Sequence, residues 1–265
     1  MDNRPVGIFD SGLGGLTAMK ALRELLPDEN IIYFGDTGRV PYGEKTREQV
    51  RRMAVQDLDL IAGRGVKAIL VACGTISSNA PDILCGYAVP AFGVLDAGVA
   101  GMQRAPGEGP LGVIATEASI RSGSFLRALE AACPGREIRG VPCPDFVPLI
   151  ETGHSDAADP LLQDAVRRYL EPLRDCAAVL LGCTHYGIIA EALTDYLGMQ
   201  TNLVSAAECA AARVAQYLIV NGLTGGSGEE LFLASGPAGD FRQAAATFLG
   251  RPIRRPAEQL PPMPL

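Results

Sequence analysis

The sequence predicts an α/β protein of two similar halves, each with a mainly parallel sheet, and a ligand cleft between them. Three observations predict it. Short apolar runs alternate with segments of helical period along most of the 265 residues. Two of these runs end alike: Ile69-Leu70-Val71-Ala72-Cys73-Gly74-Thr75 echoes Val179-Leu180-Leu181-Gly182-Cys183-Thr184-His185. Each places a cysteine at the carboxyl end of a strand, which is where open α/β sheets bind ligands.

Residues 6–9 are apolar and run into Asp-Ser-Gly, the pattern of a buried strand. Residues 16–26 carry apolar side chains at 16, 19, 22, 25 and 26, a helical spacing that Pro27 closes. Residues 31–34 form the next strand. Residues 47–64 are amphipathic, with Val50, Met53, Ala54, Leu58 and Ile61 on one face. Gly65 and a strand at 68–72 complete a βαβαβ unit. A second run begins with a strand at 111–115. A helix at 119–132, a helix at 161–173 and a strand at 177–181 follow. Residues 103–110 read as a loop, and the proline-rich 259–265 as a frayed tail. The expected division is 1–96 with 207–265 in the first half and 97–206 in the second.

The bulk composition, 48% hydrophobic and 20% charged, is that of a globular chain. A net charge of -7 argues against binding a phosphate backbone, which needs clustered Lys and Arg. No apolar run approaches the roughly 20 residues that span a bilayer. The first residues lack a signal-peptide pattern, so a cytoplasmic location is the default expectation. The seven cysteines are odd in number and none forms a C-x-x-C pair, and there are two histidines. Free thiols are expected, with no disulfide scaffold and no structural zinc.

Free cysteines often only fill space, the reading adopted for Cys85, Cys133, Cys143, Cys176 and Cys209. Cys73 and Cys183 differ by position, because a thiol at a strand end feels the following helix N-terminus. Two facing thiols suit a redox pair, a nucleophile with His185 as base, or proton transfer at a carbon held between them. The segment Asp10-Ser11-Gly12-Leu13-Gly14-Gly15 follows the first strand, where backbone amides can hold a carboxylate or phosphate. With Asp36 at the end of the second strand it mimics a dinucleotide fingerprint, but Thr17 stands at the third small position. Asp10 is a helix cap, a proton partner or an ammonium binder. The turn Pro41-Tyr42-Gly43-Glu44-Lys45 lies at the same end of the sheet.

Six stretches, in order, resemble the glutamate racemase family. They are Phe9-Asp10-Ser11-Gly12-Leu13-Gly14-Gly15-Leu16-Thr17, Tyr33-Phe34-Gly35-Asp36-Thr37 and Arg39-Val40-Pro41-Tyr42-Gly43-Glu44-Lys45. Then come Val71-Ala72-Cys73, Cys143-Pro144-Asp145-Phe146-Val147-Pro148-Leu149-Ile150-Glu151 and Leu181-Gly182-Cys183-Thr184-His185-Tyr186. They span residues 7 to about 187, and beyond 200 the likeness is general. The resemblance implies a cytoplasmic, homodimeric enzyme of two α/β domains with its active site between them. It implies interconversion of L- and D-glutamate without pyridoxal phosphate or metal, supplying D-glutamate to peptidoglycan. It assigns Cys73 to the Cα proton of D-glutamate and Cys183 to that of L-glutamate, with Asp10 and His185 assisting. Asp10, Ser11, Pro41, Tyr42, Gly43, Gly74, Thr75, Thr184 and His185 would hold the substrate, with Thr116, Ser119 and Glu151 from the second half.

One departure matters. The family usually reads Ala-Cys-Asn-Thr where this chain reads Ala72-Cys73-Gly74-Thr75. The missing amide is expected to cost roughly 1–3 kcal/mol of substrate binding, unless a water replaces it. Three rival readings stand beside this one. They are a racemase of aspartate or another acidic amino acid, a gyrase-binding inhibitory protein such as some family members are, and a dinucleotide-dependent dehydrogenase. The chain shows no acidic run that would supply a gyrase surface.

Overall fold

The central strands are apolar on both faces, as helices packed on both sides of a parallel sheet require. A computed structural model describes residues 1–253, 255–261 and 263–264, with the backbone alone for 238–240 and 243. The first half runs β1 (Val6–Asp10), α1 (Leu16–Leu25), β2 (Ile31–Gly35), α2 (Arg47–Ala62), β3 (Ala68–Val71), α3 (Gly74–Asn79) and β4 (Ala91–Gly93). Then follow α4 (Val94–Arg104), β5 (Leu111–Ala115), α5 (Glu117–Ser122), α6 (Ser124–Ala132), β6 (Ile138–Pro142), α7 (Phe146–Glu151), α8 (Pro160–Leu170), β7 (Ala178–Leu181), α9 (Ala190–Leu197) and β8 (Asn202–Ser205). The chain closes with α10 (Ala206–Val220), β9 (Glu230–Ala234), α11 (Ala238–Leu249) and β10 (Glu258–Gln259).

Two sheets result, in the orders β10-β9-β2-β1-β3-β4 and β6-β5-β7-β8, and every pairing is parallel. β1, β2, β3, β5 and β7 are buried along their whole length. β1 lies between β2 and β3, with Ile8 beside Tyr33 and Leu70. β5 lies between β6 and β7, with Val113 beside Gly140 and Leu180. The chain passes from the first sheet to the second along α4 and returns along α10. These two helices pack closely on each other, with Gly98 against Ala206 and Gly101 against Cys209.

Two expectations need correction. The helix expected over 119–132 is two helices, α5 and α6, because Gly123 turns left-handed at φ +68° and caps α5. The frayed tail is tied down in part. β10 adds to the sheet beside β9, and the Leu260 amide donates to the Ala234 carbonyl. Residues 262 and 265 of that tail lie outside the described residues.

The turn after β2 is held from beneath by charge. Arg39, almost fully buried, donates to Asp36 at 2.6 Å through Nε and to Asp57 of α2 at 2.7 Å through Nη2. Tyr42 Oη donates to Asp36 and lies 3.1 Å from Asp57, and Ser235 Oγ donates to the other Asp36 oxygen at 2.6 Å. The tail joins this cluster where Arg39 Nη1 donates to the Pro264 carbonyl at 3.1 Å. Asp36 is fully buried with both oxygens engaged inside this cluster, out of reach of a ribose, which removes the support for a dinucleotide fingerprint. Asp57 is pushed well up by burial and by Asp36, and Tyr42 is pushed up by burial and by Asp57. Arg39→Ala leaves two buried carboxylates without their cation. It is expected to destabilise the chain by about 3–5 kcal/mol, read as a lower denaturant midpoint. A loss below about 1 kcal/mol, the level of a surface pair, contradicts a buried role for the cluster.

Candidate active site

Asp10 is the last residue of β1, and its Oδ2 accepts from the Gly15 amide at 2.8 Å, closing the glycine turn into α1. It is 1% exposed, and Oδ1 has no hydrogen-bond partner. Burial raises its pKa, while His185 and the Gly15 amide hold the rise back. Cys73 follows β3 and precedes the first turn of α3. Its thiol lies 3.3 Å from Ser11 Oγ. Burial pushes that thiol up, the nearby Asp10 pushes it further, and Ser11 opposes both.

The second half presents its thiol the same way. Cys183 follows β7 and precedes a short 3-10 turn, Thr184–Ile189. Its Sγ lies 3.8 Å from His185 Nδ1, and His185 Nε2 lies 3.0 Å from Glu151 Oε1 at the end of α7. The imidazole stacks edge-on against Phe248 of α11 at 5.2 Å. Burial alone would lower the His185 pKa, but the contacts with Cys183 and Glu151 raise it to about 10.

Both thiols line one cavity of about 470 Å³. Asp10, Ser11, Pro41, Tyr42, Gly43, Gly74, Thr75, Thr116, Glu151, Thr184 and His185 line it too. Ser119 does not. It is buried behind Thr116, whose hydroxyl donates to Ser119 Oγ at 2.9 Å and caps α5 by accepting from the Ser119 amide. Cys143, expected only to fill space, lines the cavity with Pro144 and with Val147 and Pro148 of α7. Cys143 itself opens one of the six stretches that resemble the family, and that is the signal available in the sequence. Cys85, also read as filler, is exposed. Among the described residues, no group of three or more His, Cys, Asp or Glu side chains is arranged to hold a metal ion. No helix among them is long and apolar enough to cross a membrane.

The walls of the cavity are tied across the two halves. Thr75 and Thr116 share a hydrogen bond at 3.0 Å, and Thr17 Oγ1 donates to the Thr184 carbonyl at 3.0 Å. Thr17, which spoiled the glycine fingerprint, is thus a fastener between α1 and the Cys183 turn. Gly14 lies so close to Thr184 and His185 that a methyl group there would overlap both. At Gly74 the direction a side chain would take is filled by the Gly182 carbonyl oxygen. A side chain at 74 would therefore require the Gly182 carbonyl to shift.

The family model for Asp/Glu/Hydantoin racemase matches residues 16–214. A curated glutamate racemase from Thermus thermophilus is 42% identical over 253 residues, covering 94% of this chain and 93% of the relative. The crystal structure of glutamate racemase from Francisella tularensis in complex with D-glutamate aligns with a TM-score of 0.89 at 34% identity, over 98% of each chain. A glutamate racemase isoform from Bacillus anthracis aligns with a TM-score of 0.90 at 28% identity, over 99% of this chain and 100% of that one. The likeness therefore extends well past residue 200, further than the motifs alone reached. By the family match and by these relatives, the chain belongs to the Asp/Glu/hydantoin racemase family.

Proposed function

We propose that this chain is a glutamate racemase that works without pyridoxal phosphate, inverting Cα by proton transfer between Cys73 and Cys183. The observation that carries the proposal is the placing of those two thiols, one from each sheet, on one cavity of about 470 Å³. A thiol suits proton transfer in both directions, because its ordinary pKa of roughly 8.5 lies near working pH.

The substrate lies between the thiols. Backbone amides at the starts of α1 and α3 and the hydroxyls of Ser11, Thr75, Thr116 and Thr184 are the groups available to its carboxylates. They stabilise negative charge that develops as Cα loses its proton, and being held in place they cost no reorganisation. With L-glutamate, the Cys183 thiolate takes the Cα proton from one face and the Cys73 thiol delivers its own to the other. D-glutamate leaves, with Cys183 as thiol and Cys73 as thiolate; the reverse reaction restores the starting state. The two thiols titrate as a pair, since one must be charged and the other neutral at the start. An imidazolium at His185 stabilises a thiolate at Cys183. Asp10 stands beside Cys73 as its proton partner. The family resemblance places the D-glutamate in peptidoglycan synthesis.

Each single change, Cys73→Ser and Cys183→Ser, is expected to lower inversion of L- and D-glutamate by at least about a hundredfold with no cofactor added. Folding, followed by circular dichroism, is expected to stay intact. Near-full turnover in either variant rules out the two-thiol assignment. Inversion of aspartate but not glutamate by the unaltered enzyme would keep the chemistry and move the substrate.

The imidazolium has its own test. The folded pKa of His185, about 10, lies above its ordinary 6.5, so its contribution to stability is full below pH 6.5 and lost as pH rises through about 10. Glu151→Gln removes one of the groups that raise it. The His185 ring nitrogens, followed by 15N NMR, are expected to titrate at lower pH in that variant. An unchanged titration would remove Glu151 from the account.

A further inference from the structure

The imidazole beside Cys183 belongs to the second half of the chain, yet the first half packs against it. Glu151 Oε1 lies 3.0 Å from Nε2, Cys183 Sγ lies 3.8 Å from Nδ1, and Phe248 of α11 meets the ring edge-on at 5.2 Å. Gly14, in the turn that enters α1, closes on the ring from the first half. A Cβ built on Gly14 would overlap Nδ1 and the Thr184 hydroxyl and would stand 2.6 Å from Cε1. The edge of the ring that faces the sulfur is therefore the edge that rests on Gly14. The φ of Gly14 is not left-handed, so space and not backbone conformation requires a glycine there.

Neither side of this contact has room to yield. Gly15 follows directly, and a Cβ on it would meet Asp10 and Ala72 at 2.7 and 2.9 Å. The Gly15 amide is bound to Asp10 Oδ2 at 2.8 Å. Across the contact, Glu151 and Phe248 hold the buried ring. Thr17 clamps the two sides together, because its hydroxyl lies 2.8 Å from the Gly14 carbonyl and 3.0 Å from the Thr184 carbonyl. Neither Gly14 nor Thr17 lines the cavity, so both act from behind its wall.

We propose that Gly14 and Thr17 are positioning residues that seat the His185 imidazole against Cys183, so that the first half of the chain sets the acid–base geometry of the second. This rests on the two-thiol reading above. The titratable groups that face the ring are Cys183, Glu151 and Asp10. Burial disfavours the imidazolium, and the contacts with Cys183 and Glu151 outweigh it. A methyl group at 14 pushes the ring off those contacts and leaves it buried. The imidazolium is then lost at lower pH, and the Cys183 thiolate loses its partner.

The chain has two histidines, and His154, paired with Asp159 at 2.8 Å, is the internal reference. In folded Gly14→Ala, 15N NMR is expected to show His185 titrating at lower pH than in the unaltered enzyme, with His154 unmoved. Inversion of glutamate is expected to fall about a hundredfold, the effect of displacing a reacting group by about 1 Å. Its alkaline limb moves to lower pH, because the imidazolium is lost sooner as pH rises. A merely structural role lowers the yield of folded protein and moves neither pH. Thr17→Val removes the hydroxyl and is expected to cost about tenfold in inversion, the worth of one buried hydrogen bond, while Thr17→Ser keeps the rate.

An unchanged His185 titration or near-full inversion in folded Gly14→Ala overturns the proposal. So does a Thr17→Val enzyme that matches Thr17→Ser, the pair that decides if Gly14→Ala does not fold. Cys73→Ser and Cys183→Ser serve as controls. Inversion that survives either serine variant defeats the two-thiol reading and not the seat, which the His185 titration decides on its own.

Discussion

A parallel sheet offers its chemistry at the carboxyl ends of its strands, and in this chain two separate sheets turn those ends toward one cavity. Every feature of the site follows from that constraint. Asp10 and Cys73 stand at the ends of neighbouring strands β1 and β3, so a carboxyl and a thiol lie side by side. Cys183 stands at the end of β7, and the turn after it brings His185 back over the sulfur. Facing the two ends requires the chain to cross between sheets twice, which α4 and α10 do. It also requires the seam to close, which the Thr75–Thr116 and Thr17–Thr184 hydrogen bonds and the Gly74–Gly182 contact do.

The electrostatics of the two thiols are unlike. Cys73 is buried beside a carboxyl, and both burial and that neighbour favour its neutral form. Cys183 sits beside an imidazole that Glu151 and the thiol hold protonated well above its ordinary range. Cys73 is thus held in its neutral form, the form that delivers a proton when L-glutamate is the substrate of the proposed mechanism. Beneath the opposite wall, the Asp36–Arg39–Asp57 cluster fixes the turn that carries Pro41, Tyr42 and Gly43 into the cavity. Its charges are spent on one another, and it serves as a foundation.

The central strands were legible because burial on both faces leaves a continuous apolar run, as in Ile31–Phe34 and Ala178–Leu181. The edge strands were not. β6 and β8 are half-buried and carry Arg139 and Asn202, and β4 has three residues, so none shows a run. The break at Gly123 was invisible because the apolar spacing continues on either side of it. β10 escapes the sequence because two residues, Glu258 and Gln259, are too few to show a period, and only pairing with β9 makes them a strand. Within the site, the echoed strand–cysteine ends and the glycine turn were readable as local patterns. Ser119 was misplaced because residue type does not say which of two neighbouring hydroxyls faces the cavity. The contact between Gly74 and Gly182 was not readable because the two are distant in sequence.

The account turns on two thiols acting from opposite faces of Cα, and the most direct measurement is the fate of that hydrogen in the first turnovers in D₂O. With L-glutamate as substrate, two bases predict that the first D-glutamate formed carries deuterium at Cα while unconverted L-glutamate still carries hydrogen. The same pattern, mirrored, is predicted from D-glutamate. Substrate hydrogen retained at Cα of the first product, in either direction, would mean that one group carries the proton across, and would contradict the account.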